Sequence, residues 1–188
     1  MYRRIFGLLM MLGVLYSCES DLAEVDRIAS IQAEEPVDIS VGVTIIFSDS
    51  ARVKARIESP EMRNYNAVEE PYYEFQKGIT IYFYDENGRE IQNITADYAV
   101  RKELAQLVEF RNNVVITRAD GVQIKTEELI HDEAANTFYN QMPIAGYSKD
   151  GRNTFQGSSF FSDGEFKNIE IENTTGVMYL DENRVPGQ

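Results

Sequence analysis

The chain has 188 residues, with 18 Lys and Arg against 31 Asp and Glu, and so a net charge of −13. That length fits one domain with a sizeable core or at most two small ones, and 43% hydrophobic residues is too many for a chain that stays disordered. The acidic balance repels phosphate backbones and argues against nucleic acid as a partner. One cysteine, one histidine and no tryptophan exclude an internal disulfide and a Cys/His zinc site.

Residues 1–17 read as an export signal. Arg3 and Arg4 form a charged head, and residues 5–15 form an apolar run of about eleven residues, short of the ~20 that span a bilayer. Leu15-Tyr16-Ser17-Cys18 resembles the lipobox of bacterial lipoproteins. That resemblance implies cleavage before Cys18, acylation of Cys18 and a membrane anchor through it. The plain alternative is a secretory signal followed by a chance free thiol, an oxidation liability that acylation would remove. Cleavage leaves 171 residues at −15, because both lost charges are arginines. Residues 18–40 are acidic and read as a tether, or as a short helix packed on the domain. Residues 41–180 form the folded domain, and residues 181–188 a polar tail.

The domain pattern is all-β. Val53-Lys54-Ala55-Arg56-Ile57, Ile79-Thr80-Ile81-Tyr82-Phe83-Tyr84 and Ile169-Glu170-Ile171-Glu172 alternate as strands with two unlike faces do. Turn chemistry at Asn87-Gly88, Asp120-Gly121, Asp150-Gly151 and Asp163-Gly164 separates such runs. Gly88, Gly121, Gly151 and Gly157 are read as turn glycines. Residues 97–109 fit a helix or a strand, turn and strand equally.

A weak internal repeat accompanies the turns. Ile81, Val114, Ile144 and Ile169 stand seven residues before Gly88, Gly121, Gly151 and Gly176. Ile94-Thr95-Ala96, Ile124-Lys125-Thr126 and Phe155-Gln156-Gly157 recur at spacings of 30 and 31, with Ala99, Leu129 and Phe160 following. Units that each bury one face must stack to share a core, which predicts an elongated sheet with unpaired edge strands at its ends.

Catalytic and metal-binding patterns are sparse. His131 reads as a solvated or turn histidine. Glu127-Glu128 and Asp132-Glu133 are neighbours expected by chance in so acidic a chain, and Asp85-Glu86-Asn87 lacks the ligand ladder of a calcium loop. No catalytic residue, metal ligand or cofactor is therefore assigned.

Several segments in order are similar to one family. They are Ile45-Ile46-Phe47-Ser48-Asp49-Ser50-Ala51-Arg52-Val53-Lys54-Ala55, then Ile94-Thr95-Ala96-Asp97-Tyr98-Ala99. Next come Asn113-Val114-Val115-Ile116, Asp120-Gly121, Ile124-Lys125-Thr126, Leu129 and His131-Asp132. The last is Asp150-Gly151-Arg152-Asn153-Thr154-Phe155-Gln156-Gly157. Together these resemble the LptC family, the single-anchored component of the lipopolysaccharide export bridge, although Ser50 stands where that family usually has glycine. The resemblance implies a twisted, boat-like antiparallel β-jellyroll with open sheets and an apolar groove that passes lipopolysaccharide acyl chains without enzymatic turnover. It implies an inner-membrane ABC transporter docked at the N-terminal edge and a periplasmic bridge protein of the LptA type at the C-terminal edge. It also implies a periplasmic location at the inner membrane.

A groove of this kind needs alternate apolar residues of many strands. Ile79, Ile81, Phe83, Val114, Ile116, Ile124, Leu129, Phe138, Ile144, Phe155, Phe160, Ile169 and Ile171 occupy such positions. Plain core residues would show the same pattern. Tyr72, Tyr73, Tyr82, Tyr84 and Tyr98 either rim a groove or lie on ordinary strand surfaces. A membrane-anchored scaffold or glycan-binding β-sandwich lipoprotein is the competing reading, and it requires a closed core.

Overall fold

The computed structural model describes residues 37–179. The signal segment, Cys18, most of the tether and the polar tail lie outside the described residues. The described residues form strands and turns only. These begin with β1 (Asp38–Asp49), β2 (Arg52–Tyr65), β3 (Tyr72–Phe75), β4 (Ile79–Tyr84) and β5 (Glu90–Ala96). There follow β6 (Tyr98–Lys102), β7 (Leu107–Arg118), β8 (Gln123–Asp132), β9 (Thr137–Asn140) and β10 (Ile144–Tyr147). The last are β11 (Thr154–Gly157), β12 (Ser159–Asp163), β13 (Ile169–Glu172) and β14 (Thr175–Val177). Strand β1 begins at Asp38, inside the segment read as tether. Residues 97–109 resolve into β6, a turn and the start of β7.

All pairings are antiparallel, within one fourteen-stranded sheet that folds back on itself as a twisted β-jellyroll. The fold line is visible in the ladder. Strand β2 pairs β4 through Ala55–Glu58 and then β3 through Arg63–Tyr65. Strand β7 pairs β6 before Arg111 and β5 after Val114. Strand β8 likewise changes partner from β10 to β9. One leaf therefore holds β4, β5, β10, β11 and β14, the other β3, β6, β9, β12 and β13, and the long strands run through both.

The residues at the fold line suit it. Pro60, which has no N–H to give a ladder, sits where β2 changes partner, opposite Gly42 at φ 65°. Asn112 and Asn113 take φ of 62° and 50°, a left-handed region that asparagine tolerates better than most residues. From Asp97 onward the chain crosses the line at Asn112, Glu127, Met142, Ser158 and Asn173, every 15 or 16 residues. One strand out and one back thus take 30 or 31 residues, which is the physical origin of the sequence repeat.

The small residues of that repeat, Ala96, Thr126 and Gly157, flank the line, where the two leaves converge. Gly157 is accordingly no turn glycine. It ends β11, and a Cβ there would stand 2.2 Å from Ile171 Cγ2. Gly88, Gly121 and Gly151 lie in hairpin turns at φ 75°, 86° and 70°.

An apolar trough between the two leaves

The leaves pack tightly over the C-terminal half. Phe110, Phe138, Phe160, Ile94, Ile116, Ile124, Leu129 and Val114 are fully buried there. Towards β1 they part. A cavity of about 460 Å³ lies between Ile45, Phe47, Ala55, Ile57, Ile79, Ile81 and Phe83 of one leaf and Met62, Tyr73, Phe75, Arg101, Val108, His131 and Glu133 of the other. A second cavity of about 760 Å³ shares Ala55, Phe83 and His131 with the first. It continues towards the C-terminal half between a rim of Tyr84, Asp85, Glu86 and Arg118 and the segment Gly164, Glu165, Phe166 and Lys167. The two make one trough, apolar along its floor and charged along its lips.

The sequence-predicted groove residues divide between trough and core. Ile79, Ile81 and Phe83 line the first cavity, and Phe83 and Phe138 the second. Val114, Ile116, Ile124, Leu129, Ile144 and Phe160 are closed core away from either cavity, while Phe155, Ile169 and Ile171 are half-buried against that core. Of the tyrosines, Tyr73 and Tyr84 border the trough. Tyr82 lies on the outer face beneath the Arg56 guanidinium, 4.5 Å from the ring centroid. Tyr72 stacks on Tyr65 at 4.4 Å. Tyr98 donates to Glu74 Oε1 at 2.7 Å, and burial followed by that carboxylate pushes its phenol up to about 12.

Residue-by-residue reading of the sequence missed Ile45, Phe47, Ala55, Ile57, Met62, Phe75 and Val108 as trough lining. Alternation along β1 and β2 was the available signal for the first four. Met62 defeats it, because the inward parity of β2 switches where the strand crosses the fold line.

One wall of the trough is polar. Arg101 on β6 donates to both carboxylate oxygens of Glu133, Nε to Oε1 at 3.0 Å and Nη2 to Oε2 at 3.0 Å. The paired charges cancel, so an uncharged chain can lie beside them.

His131 corrects the sequence reading of a solvated or turn residue. It sits in β8 facing the trough, with its ring stacked on Phe138 at 4.1 Å and 7°. Its Nε2 is buried and has no hydrogen-bond partner among the described residues. Burial pushes the imidazole below its ordinary range, against a smaller upward pull from Glu133 and Asp132. The unfolded chain therefore takes up a proton, near pH ~6.5, that the folded chain refuses. This contribution to stability is intact above that pH and is lost as pH falls. Thermal melts of the wild type should show the loss between about pH 7 and pH 5. His131→Phe, which preserves the stack, should flatten the curve in that interval. An unchanged slope in the variant would remove His131 as its cause.

The acidic turns account for other carboxylates. Asp85 accepts from the Asn87 and Arg89 backbone N–H groups at 2.8 and 2.9 Å and from Arg89 Nε at 3.0 Å. Its carboxyl is held low, chiefly by the Arg89 backbone donor. That carboxylate is spent on turn geometry. Among the described residues, no group of three or more His, Cys, Asp or Glu is placed to hold a metal ion. The trough offers mainly apolar surface, with Arg101, His131 and Glu133 as the polar part of its wall.

Comparison with known families agrees with this geometry. The family described as lipopolysaccharide-assembly, LptC-related, matches residues 7–179, most of the chain. The chain belongs to the LptC family. Its membership assigns this LptC-family chain to lipopolysaccharide transport, in the periplasmic envelope and linked to the inner membrane. The family is a bridge component of that transport and is not known as an enzyme family. No curated protein matches the chain.

Proposed function

We propose that the trough receives lipopolysaccharide acyl chains from an inner-membrane ABC transporter and passes them to the next periplasmic bridge protein, without turnover or cofactor of its own. The observation that carries this reading is the parting of the two leaves over Ile79, Ile81 and Phe83 in a chain whose other half is closed. Burying each acyl methylene there would gain ~0.8 kcal/mol. Energy for movement comes from the partner ATPase.

The edges suit strand-to-strand docking. Strand β1 pairs only with β2 among the described residues and exposes Ile39, Val41 and Ile46. This is the edge offered to the transporter. At the other end β14 pairs only with β11, and Val177, Met178 and Tyr179 are exposed. This edge is offered to a bridge protein of the LptA type. Acylated Cys18 completes the arrangement as the inner-membrane anchor, with residues 18–37 as its tether.

A photo-crosslinking residue at Phe83 should capture lipopolysaccharide in cells, and one at Phe161, on the outer face of β12 and 43% exposed, should not. Absence of adducts at 47, 75, 81 and 83 alike would overturn the trough as a lipid path and favour a scaffold without one.

A further inference from the structure

The trough has an end. The turn between β12 and β13 brings Phe166 inward, where it is 4% exposed despite its place in a hairpin turn. Its ring lies 4.6 Å from Phe138 and 6.1 Å from Phe160. Phe166 and Phe138 both line the larger cavity, whereas Phe160, 2% exposed, does not. Phe166 therefore stands between the open trough and the closed core.

The turn is built to hold it there. Phe166 takes φ 53°, a left-handed conformation that a bulky residue adopts only when its surroundings fix it. Phe166 N donates to the Asp163 carbonyl at 3.0 Å. The Asp163 carboxylate accepts from Lys167 N at 2.8 Å, Asn168 N at 3.1 Å and Asn168 Nδ2 at 2.7 Å. On the other side, Gly164 leaves room for Asn136, whose Oδ1 lies 2.1 Å from where a Cβ would be. The turn is thus hydrogen-bonded to the end of its own strand and packed closely against the β8–β9 connection.

We propose that Phe166 is the end-stop of the acyl site and so determines the length of chain that the trough accepts. The proposal rests on the acyl-chain reading above and adds to it a specificity-determining residue. A saturated chain lying along the floor from Ile81 past Phe83 gains contact with each added methylene until its terminus meets the Phe166 ring. Further methylenes then have only solvent or the lips to lie against.

The test uses the mature chain, residues 18–188, made without the signal segment and carrying Cys18→Ala, so that neither the apolar run nor the acylation site is present and purification needs no detergent. Saturated fatty acids from octanoate to stearate are titrated below their aggregation limits. With Phe166 in place, affinity should rise about 4-fold per added methylene and then level off at one length. Phe166→Ala should move that break to longer chains. Phe166→Leu, which keeps the turn filled, should move it by less and provides the comparison should the alanine variant melt without cooperativity. An identical break in all three proteins, or a series in the wild type that never levels off, overturns the end-stop and leaves the acyl-binding trough standing. Absence of binding at every length in every variant overturns the acyl reading and the end-stop with it.

Discussion

Phe83→Glu is expected to lower lipopolysaccharide capture at least ~100-fold while the domain still folds. Phe83 is half-buried, lines both cavities and meets Phe138 edge-on at 5.9 Å, so it lies where the two parts of the trough join. In the empty trough a glutamate at this position can turn its carboxylate towards the open lips and stay hydrated. With an acyl chain laid across it, the carboxylate must lose water beside hydrocarbon, at a cost of several kcal/mol. Every ~1.4 kcal/mol is a tenfold loss, which sets the scale of the effect. Phe83→Leu keeps an apolar floor and should retain capture within a few-fold. The measurement is adduct yield from a photo-crosslinker at Phe75, across the trough, with a thermal melt on each variant. Equal yields from the glutamate and leucine variants would place the acyl path elsewhere.

The division of the molecule into trough and core shows how far the sequence could be read. The hairpins were legible because their turns need particular residues, such as Gly121 at φ 86° with Asp120 before it. The repeat was legible too, since a strand out and a strand back across the fold line take a fixed length of chain. Its small residues carried a meaning the sequence did not disclose. Gly157 and Ala96 are small because the leaves meet near them, and that requires knowledge of which strands face one another.

The same limit explains His131. Strand β8 buries Ile124 and Thr126, then Leu129, so its inward parity changes between Thr126 and Leu129, near Glu127. Counting alternate residues from Ile124 places His131 on the outside, whereas counting from Leu129 places it inside. Groove and core remained indistinguishable for a related reason. Val114 and Ile81 occupy equivalent places in the repeat, yet one is closed core and the other lines a cavity. The distance between leaves differs at the two sites, and alternation along one strand contains no information about that distance.

That distance can be read out by truncation. Phe110→Ala should destabilise the domain by ~3–5 kcal/mol, the range for a large aromatic removed from a packed core. Phe110 is 0% exposed on β7, with Ala99 and Leu129 as its cross-strand neighbours. Strands on both sides fix these neighbours, so they cannot collapse into the space. At roughly 2–4 °C per kcal/mol for a domain of this size, the melting temperature should fall by about 10 °C. Met62→Ala removes a side chain of comparable reach from the trough wall, where one side of it already lacks packing partners. There the loss should be nearer ~1 kcal/mol, since little new cavity is created. A large cost at Phe110 with a small one at Met62 is the signature of leaves that part at one end. Equal costs would mean that the leaves close over Met62 in solution, and a closed interior has no place for a lipid.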